Sequence, residues 1–166
     1  MVQKKLPKGV RPDEFIKLIK AISQKEKEAR IAFLLAYGAG LRISEVCNLK
    51  KEDIKVNSIE ILNSKGGRDR IVPIPKGWRA WMFGYLPLQK STRTFERYFK
   101  TVAEKAGLPA YYVFHSLRHG FATRLVENGV PMNQVQLLMG HSNISTTSIY
   151  TRARPMDALK NYEDLF

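Results

Sequence analysis

The chain has 166 residues and a mass of 19.0 kDa, with 28 Lys and Arg against 15 Asp and Glu, a formal charge of +13 and an isoelectric point near 10.0. An apolar share of 44% excludes a disordered basic tail, and the length suits one domain rather than two. No stretch approaches the ~18 consecutive apolar residues of a membrane span, MVQKKLPKGV lacks the apolar core of a secretory signal, and Cys47, the single cysteine, excludes intrachain disulfides and multi-cysteine zinc sites. The basic balance points to a polyanionic partner, nucleic acid ahead of an anionic membrane surface, and a reducing cytoplasm is the expected compartment.

Residues 1–10 read as an extended, linker-like basic lead-in, and residues 11–166 as the domain proper. Pro12 suits the first position of a helix, with Asp13 and Glu14 favourable in its first turn. Phe15, Leu18, Ile19 and Ile22 follow at helical spacing. A second helix is predicted over 27–37, broken by Gly38 and Gly40, and a short third one buries Ile43, Val46 and Leu49. Three short strands are predicted over 54–56, 58–62 and 70–74. A glycine-containing hairpin turn over 64–69 joins the last two, and Pro73 and Pro75 put the final strand at an edge or end it there. Helices are predicted again over about 76–86 and 92–106, the second with Phe95, Tyr98, Phe99 and Val102 on one face and Gly107 at its close. Further helices run over about 115–128 and from Pro131 to Gly140. Ser142 can cap another over 144–151, and a last amphipathic piece spans about 155–165. The fold class expected is α+β: a mostly helical domain with a small three-stranded antiparallel sheet.

Charge is uneven along the chain. Residues 62–100 hold nine basic and two acidic residues, whereas the last ten hold one basic and three acidic. A solvated surface usually mixes its signs evenly, so this excess marks a basic face.

Several residues can carry chemistry. On a helix, His115 and Arg118 are three apart and share a face, pairing a proton-transfer group with a rigid fork of donors that fits a phosphate. His115 and His119 also have metal-ligand spacing, but the pentapeptide lacks the Glu of HExxH and Arg118 places positive charge beside any ion. Taken alone, surface polar groups at a helix start are the commoner reading. Arg42 stands at a glycine-punctuated helix start, where backbone donors can join it around an anion, and Glu45 can orient it. Alone, a surface Arg42–Glu45 ion pair is the plainer reading. Lys65 lies in the hairpin turn, where it can reach over a bound backbone or simply be solvated. His141 follows Gly140, and Tyr150 sits in an apolar-poor run.

As a set these stretches are specific. Tyr37-Gly38-Ala39-Gly40-Leu41-Arg42-Ile43-Ser44-Glu45-Val46, Lys65-Gly66-Gly67-Arg68-Asp69-Arg70-Ile71-Val72-Pro73, His115-Ser116-Leu117-Arg118-His119-Gly120-Phe121-Ala122-Thr123 and the segment from Leu138 to Thr151 occur in that order. In them the chain resembles the tyrosine recombinase (phage integrase, Xer-like) family, with all six members of the constellation Arg, Lys, His-x-x-Arg, His, Tyr present. Gly120 and Ser116 depart from the hydroxyl residue and the Asp frequent at those places. The resemblance implies the catalytic-domain fold of that family and site-specific DNA recombination through a covalent 3′-phosphotyrosyl intermediate. It implies Tyr150 as nucleophile, Arg42 and Arg118 as clamps on the non-bridging oxygens, and His141 as a further donor. Lys65 would protonate the departing 5′-oxygen and His115 would serve as an acid–base or bracing group, with Glu45 and His119 behind them ordering their neighbours. Lys65, Arg68, Arg70, Arg93 and Arg97 are the expected DNA contacts. No metal or other cofactor is expected. The implied partner is double-stranded DNA at specific sites, bound by a homo-tetramer on two duplexes that is a monomer or weak oligomer without DNA, with no membrane and a cytoplasmic, nucleoid-associated location. Family members usually carry a separate core-binding domain that closes a clamp on DNA, and nothing in residues 1–166 is expected to be that domain. Type IB topoisomerase-like relaxation and a non-catalytic DNA-binding fragment are the alternatives.

Overall fold

The computed structural model describes residues 9–62, 69–141 and 159. Helix α1 (Pro12–Ala21) opens with Pro12 in its first turn, and the Glu14 carboxylate reaches back to accept the Arg11 backbone N–H at 2.9 Å. Helix α2 (Lys27–Gly38) buries Ala29, Ile31, Ala32, Phe33, Leu35 and Ala36, which leaves it almost no solvent face. A helix apolar around most of its circumference belongs in the middle of a fold, and α2 packs against α3 (Ile43–Asn48), α4 (Thr92–Lys105) and α5 (His115–Glu127). Phe33 meets Phe99 of α4 and Phe114 edge-on, with ring centroids 5.5 and 5.7 Å away. A second apolar cluster joins Phe121 and Leu125 of α5 to Val135, Leu138 and Met139 of α6 (Met132–Met139), and Leu159 is buried within it.

The sheet among the described residues has two strands, β1 (Ser58–Ile61) and β2 (Arg70–Pro73), paired antiparallel with Ser58 opposite Pro73 and Ile61 opposite Arg70. The third strand predicted over 54–56 is reduced to a single bridge between Ile54 and Ile59. The chain reverses at once: the Lys55 N–H donates to the Ser58 carbonyl at 2.8 Å and Val56 projects into solvent, so no ladder can extend. The helix predicted over 76–86 is likewise only a 3₁₀ turn over Ala80–Tyr85, because Gly77 and Gly84 interrupt the segment and its Trp81 and Tyr85 remain partly exposed. Elsewhere the predicted and observed helices agree within two residues at either end. Ser142 and the helices predicted over 144–151 and 155–165 lie outside the described residues, apart from Leu159.

The lead-in predicted over 1–10 ends in packed structure. Val10 is a core residue whose N–H donates to the Ser116 carbonyl at 3.0 Å. The Tyr112 hydroxyl donates 3.1 Å to the Gly9 carbonyl and lies 2.7 Å from the Glu14 carboxylate. Backbone meets backbone here: a Cβ on Gly9 would stand 2.4 Å from the Gly120 nitrogen, and one on Gly120 would stand 2.4 Å from the Val10 carbonyl. Gly120→Ser is therefore expected to destabilise the protein by ~1–3 kcal/mol, the usual cost of overpacking. Urea denaturation measures this, and wild-type stability in the variant would show that residues 9 and 10 are not seated on α5.

Candidate active site

The site grows from the break between α2 and α3. Gly40 adopts φ +67, a left-handed conformation costly for other residues, and a Cβ there would lie 2.4 Å from Phe121 Cδ1. This turn delivers Arg42 to the start of α3 and puts Glu45 one turn on. The Glu45 carboxylate accepts the Arg42 backbone N–H at 2.7 Å, so the helix start expected to greet an anion with backbone donors already holds one. The same carboxylate accepts from Arg42 Nη1 at 3.0 Å and from Arg70 Nη1 and Nη2 at 2.8 Å each, and Arg118 Nη1 stands 3.9 Å away. This is no surface pair. The side chains of Glu45, Arg70 and Arg118 are 6%, 4% and 3% exposed, while that of Arg42 is 26% exposed.

The end of α6 is the second anchor. Arg70 Nε donates to the Leu138 carbonyl at 2.7 Å, Arg118 Nη2 to the Met139 carbonyl, and Arg42 Nη2 to the Gly140 carbonyl at 3.3 Å. The last carbonyls of a helix lack intrahelical partners and carry the negative end of its dipole. Here three guanidinium groups receive three consecutive ones. Gly140 turns the chain with φ +64, and a Cβ there would press to 3.0 Å from Arg70 Cδ and Nη1. Arg118 is further fixed by donating to the Gly40 carbonyl at 2.7 Å. Burial, and then the charges of Arg42 and Arg70, lower its pKa to about 9 against the pull of Glu45, which leaves it charged at neutral pH.

The three histidines sit around this cluster. His115 and His141 are exposed and His119 is half-buried. Desolvation, then His119, Arg118 and Arg42, push His115 down to about 4. Desolvation and the same arginines, with Arg70 added, lower His141, and desolvation and Arg118 lower His119. All three are neutral imidazoles at neutral pH, each with one ring nitrogen able to donate and one able to accept. The His115 and His119 rings meet edge-to-face at 4.6 Å. Among the described residues no group of three or more His, Cys, Asp or Glu side chains is arranged to hold a metal ion.

The structure thus brings Arg42, Glu45, His115, Arg118, His119 and His141 into one neighbourhood. Arg93 and Arg97 lie on the exposed face of α4. Lys65, Arg68 and Tyr150 lie outside the described residues. Arg70, read from sequence as a DNA contact, points inward instead: its guanidinium is taken up by Glu45 and Leu138 and has almost no exposure. Strand alternation held the signal, because period two places Arg70 on the same face as the buried Val72 and leaves Ile71 outside. The carbonyls of 138–140 left no signal in side-chain identity.

Two outcomes follow from this geometry. Glu45→Gln leaves buried guanidinium groups without their counter-charge, and denaturation should show a loss of about 3–5 kcal/mol. A loss near zero would mean the carboxylate does not organise the cluster. NMR titration should find His115 with the lowest midpoint, about 4 against an ordinary 6.5. Between those values the unfolded chain binds more protons than the folded one, so His115 makes stability fall as pH drops through that window. A His115 midpoint at or above its ordinary value would refute its placement against the arginines.

Comparison with known proteins places this arrangement. Residues 8–156 match the phage integrase family. A tyrosine recombinase XerA from Thermococcus kodakarensis is 39% identical, over 91% of this chain and 60% of its own length. A crystal structure of XerA recombinase superposes with a TM-score of 0.68 at 26% identity, covering 96% of this chain and 65% of that one. The lambda integrase catalytic core superposes with a TM-score of 0.64 at 24% identity, covering 81% of this chain and 91% of that one. The chain spans about 60% of the length of such curated relatives. With nearly all of its length matched, and Arg42, Glu45, Arg118 and His141 within that match, the chain belongs to the phage integrase family.

Proposed function

We propose that this chain is the catalytic domain of a tyrosine site-specific recombinase, which cuts and rejoins DNA strands at specific duplex sites through a covalent 3′-phosphotyrosyl intermediate. The observation that carries the reading is the cluster itself. Three guanidinium groups share one carboxylate, so a positive excess is held in fixed geometry with Arg42 at its surface and neutral histidines beside it. Preorganised cations of this kind stabilise the charge that gathers on phosphoryl oxygens in a transition state.

In this reading a scissile phosphate rests its non-bridging oxygens against Arg42 and Arg118, with His141 donating a further hydrogen bond. The Tyr150 hydroxyl oxygen attacks phosphorus and the bond to the 5′-oxygen breaks. The tyrosine proton passes to a base, for which neutral His115 has an unprotonated ring nitrogen, and Lys65 protonates the departing oxygen. The phosphodiester bond energy is kept in the protein–DNA link, so rejoining needs no nucleotide triphosphate. An arriving phosphate also raises the pKa of His115, improving it as a base when substrate is present. Glu45 and His119 hold their neighbours in place. Lys65, Arg68, Arg93 and Arg97 would follow the DNA backbone, and a homo-tetramer on two duplexes would carry out exchange, in the cytoplasm on nucleoid DNA.

A pool of nicked duplexes with a randomised core tests this. Cleavage beside a nick releases a short fragment, so rejoining fails and the adduct accumulates. Denaturing gels should show protein covalently attached to DNA, digestion and mass spectrometry should place the link on Tyr150, and Tyr150→Phe should abolish it. DNA binding without any adduct, or equal trapping by Tyr150→Phe, would refute the reading.

A further inference from the structure

We propose that Arg70 is a positioning residue of this site: it neutralises Glu45 and locks β2, α3 and the end of α6 together, so that Arg42 and Arg118 hold their aim on a phosphate and the Glu45 carboxylate does not repel it. The inference rests on the proposed recombinase chemistry but concerns a residue that chemistry does not use.

Three observations converge on it. The first is the use of donors. Arg70 spends Nη1 and Nη2 on the two oxygens of Glu45 and Nε on the Leu138 carbonyl, all between 2.7 and 2.8 Å. One planar fork thereby engages two elements, a match that lysine's single ammonium cannot reproduce. The second is location. Arg70 is the first residue of β2 and pairs with Ile61, the last of β1, so it stands at the base of the connection in which Lys65 lies. Residues 42–45 and 138–140 are thereby tied to the same point in the sheet. The third is space. Gly140 has no side chain where a Cβ would crowd Arg70, so the turn before His141 is shaped to admit this guanidinium.

The electrostatic logic explains why a third arginine is needed. Glu45 fixes Arg42 through its backbone and side chain, but a bare carboxylate beneath a phosphate site repels the phosphate. A bidentate guanidinium cancels that charge within the protein interior, where screening by water is weak. What remains toward the ligand is the charge of Arg42 and Arg118. Arg70 makes this contribution with its fork turned to Glu45 and Leu138.

The experiment compares Arg70→Lys and Arg70→Gln with wild type on the nicked duplex pool. Arg70→Lys retains the charge and loses the fork. At saturating DNA its rate of adduct formation should fall by roughly 10²-fold, the scale set by misplacement of catalytic groups. Its DNA affinity and the salt dependence of that affinity should remain those of wild type. A weakened affinity with a shallower salt slope and an unchanged saturating rate would make Arg70 a phosphate contact and overturn the proposal, as would an unchanged rate with unchanged affinity. A readout independent of recombination is the His141 ring titration. Its midpoint should rise toward the ordinary value in Arg70→Gln and stay low in Arg70→Lys, and an unmoved midpoint in Arg70→Gln overturns the proposal. If wild type forms no adduct, the recombinase reading fails while the titration still decides the role of Arg70. Should Arg70→Gln fail to fold, Arg70→Lys carries the titration as well: a midpoint within error of wild type, with the saturating rate lowered, is the expected result, and an unchanged rate again refutes it.

Discussion

One carboxylate and three carbonyls hold this site together. Like charges do not gather in a protein interior unless something nearby compensates them. Glu45 supplies a full negative charge and the end of α6 supplies partial ones, and Arg42, Arg70 and Arg118 are each bound to both. The three basic side chains come from three parts of the chain, residues 42, 70 and 118, and they converge because they share acceptors. Remove the acceptors and the same residues would repel one another into solvent.

The surrounding fold serves that convergence. α2 is buried on almost every side and gives α3, α4 and α5 a common surface. The α2–α3 turn at Gly40 sets where Arg42 begins, and its carbonyl in turn receives Arg118. The second apolar cluster seats α6 against α5, which brings the carbonyls of 138–140 over Arg118. The histidines then lie at the rim of a positive centre, and desolvation, followed by the charges of that neighbourhood, keeps them neutral.

Much of this was legible in the sequence, and the exceptions have physical causes. Helical periodicity and the punctuation by Pro12, Gly38, Gly40, Gly107 and Gly140 located α1 to α6, because those signals are local. Arg42, Glu45, His115, Arg118 and His141 were legible as a set because their wording along the chain is distinctive. The burial of Arg70 was not legible, because an arginine in a basic stretch looks like surface and its burial depends on a carboxylate 25 residues away. Residues 54–56 read as a strand by composition, but a strand also needs room to run, and the reversal at Lys55 removes it. Residues 76–86 read as a helix, yet Gly77 before the turn and Gly84 within it leave only a short 3₁₀ segment over Ala80–Tyr85.

The contact between Gly9 and Gly120 has a mechanical consequence. Side chains packed against each other can slide and re-pack, whereas two backbones in direct contact, pinned by the Val10–Ser116 and Tyr112–Gly9 hydrogen bonds, have little slack. Residues 9 and 10 and the first turns of α5 therefore behave as a single lever. A displacement of residues 9 and 10 therefore has to be shared by the helix that bears His115 and Arg118, because no side chain lies between the two backbones to absorb it.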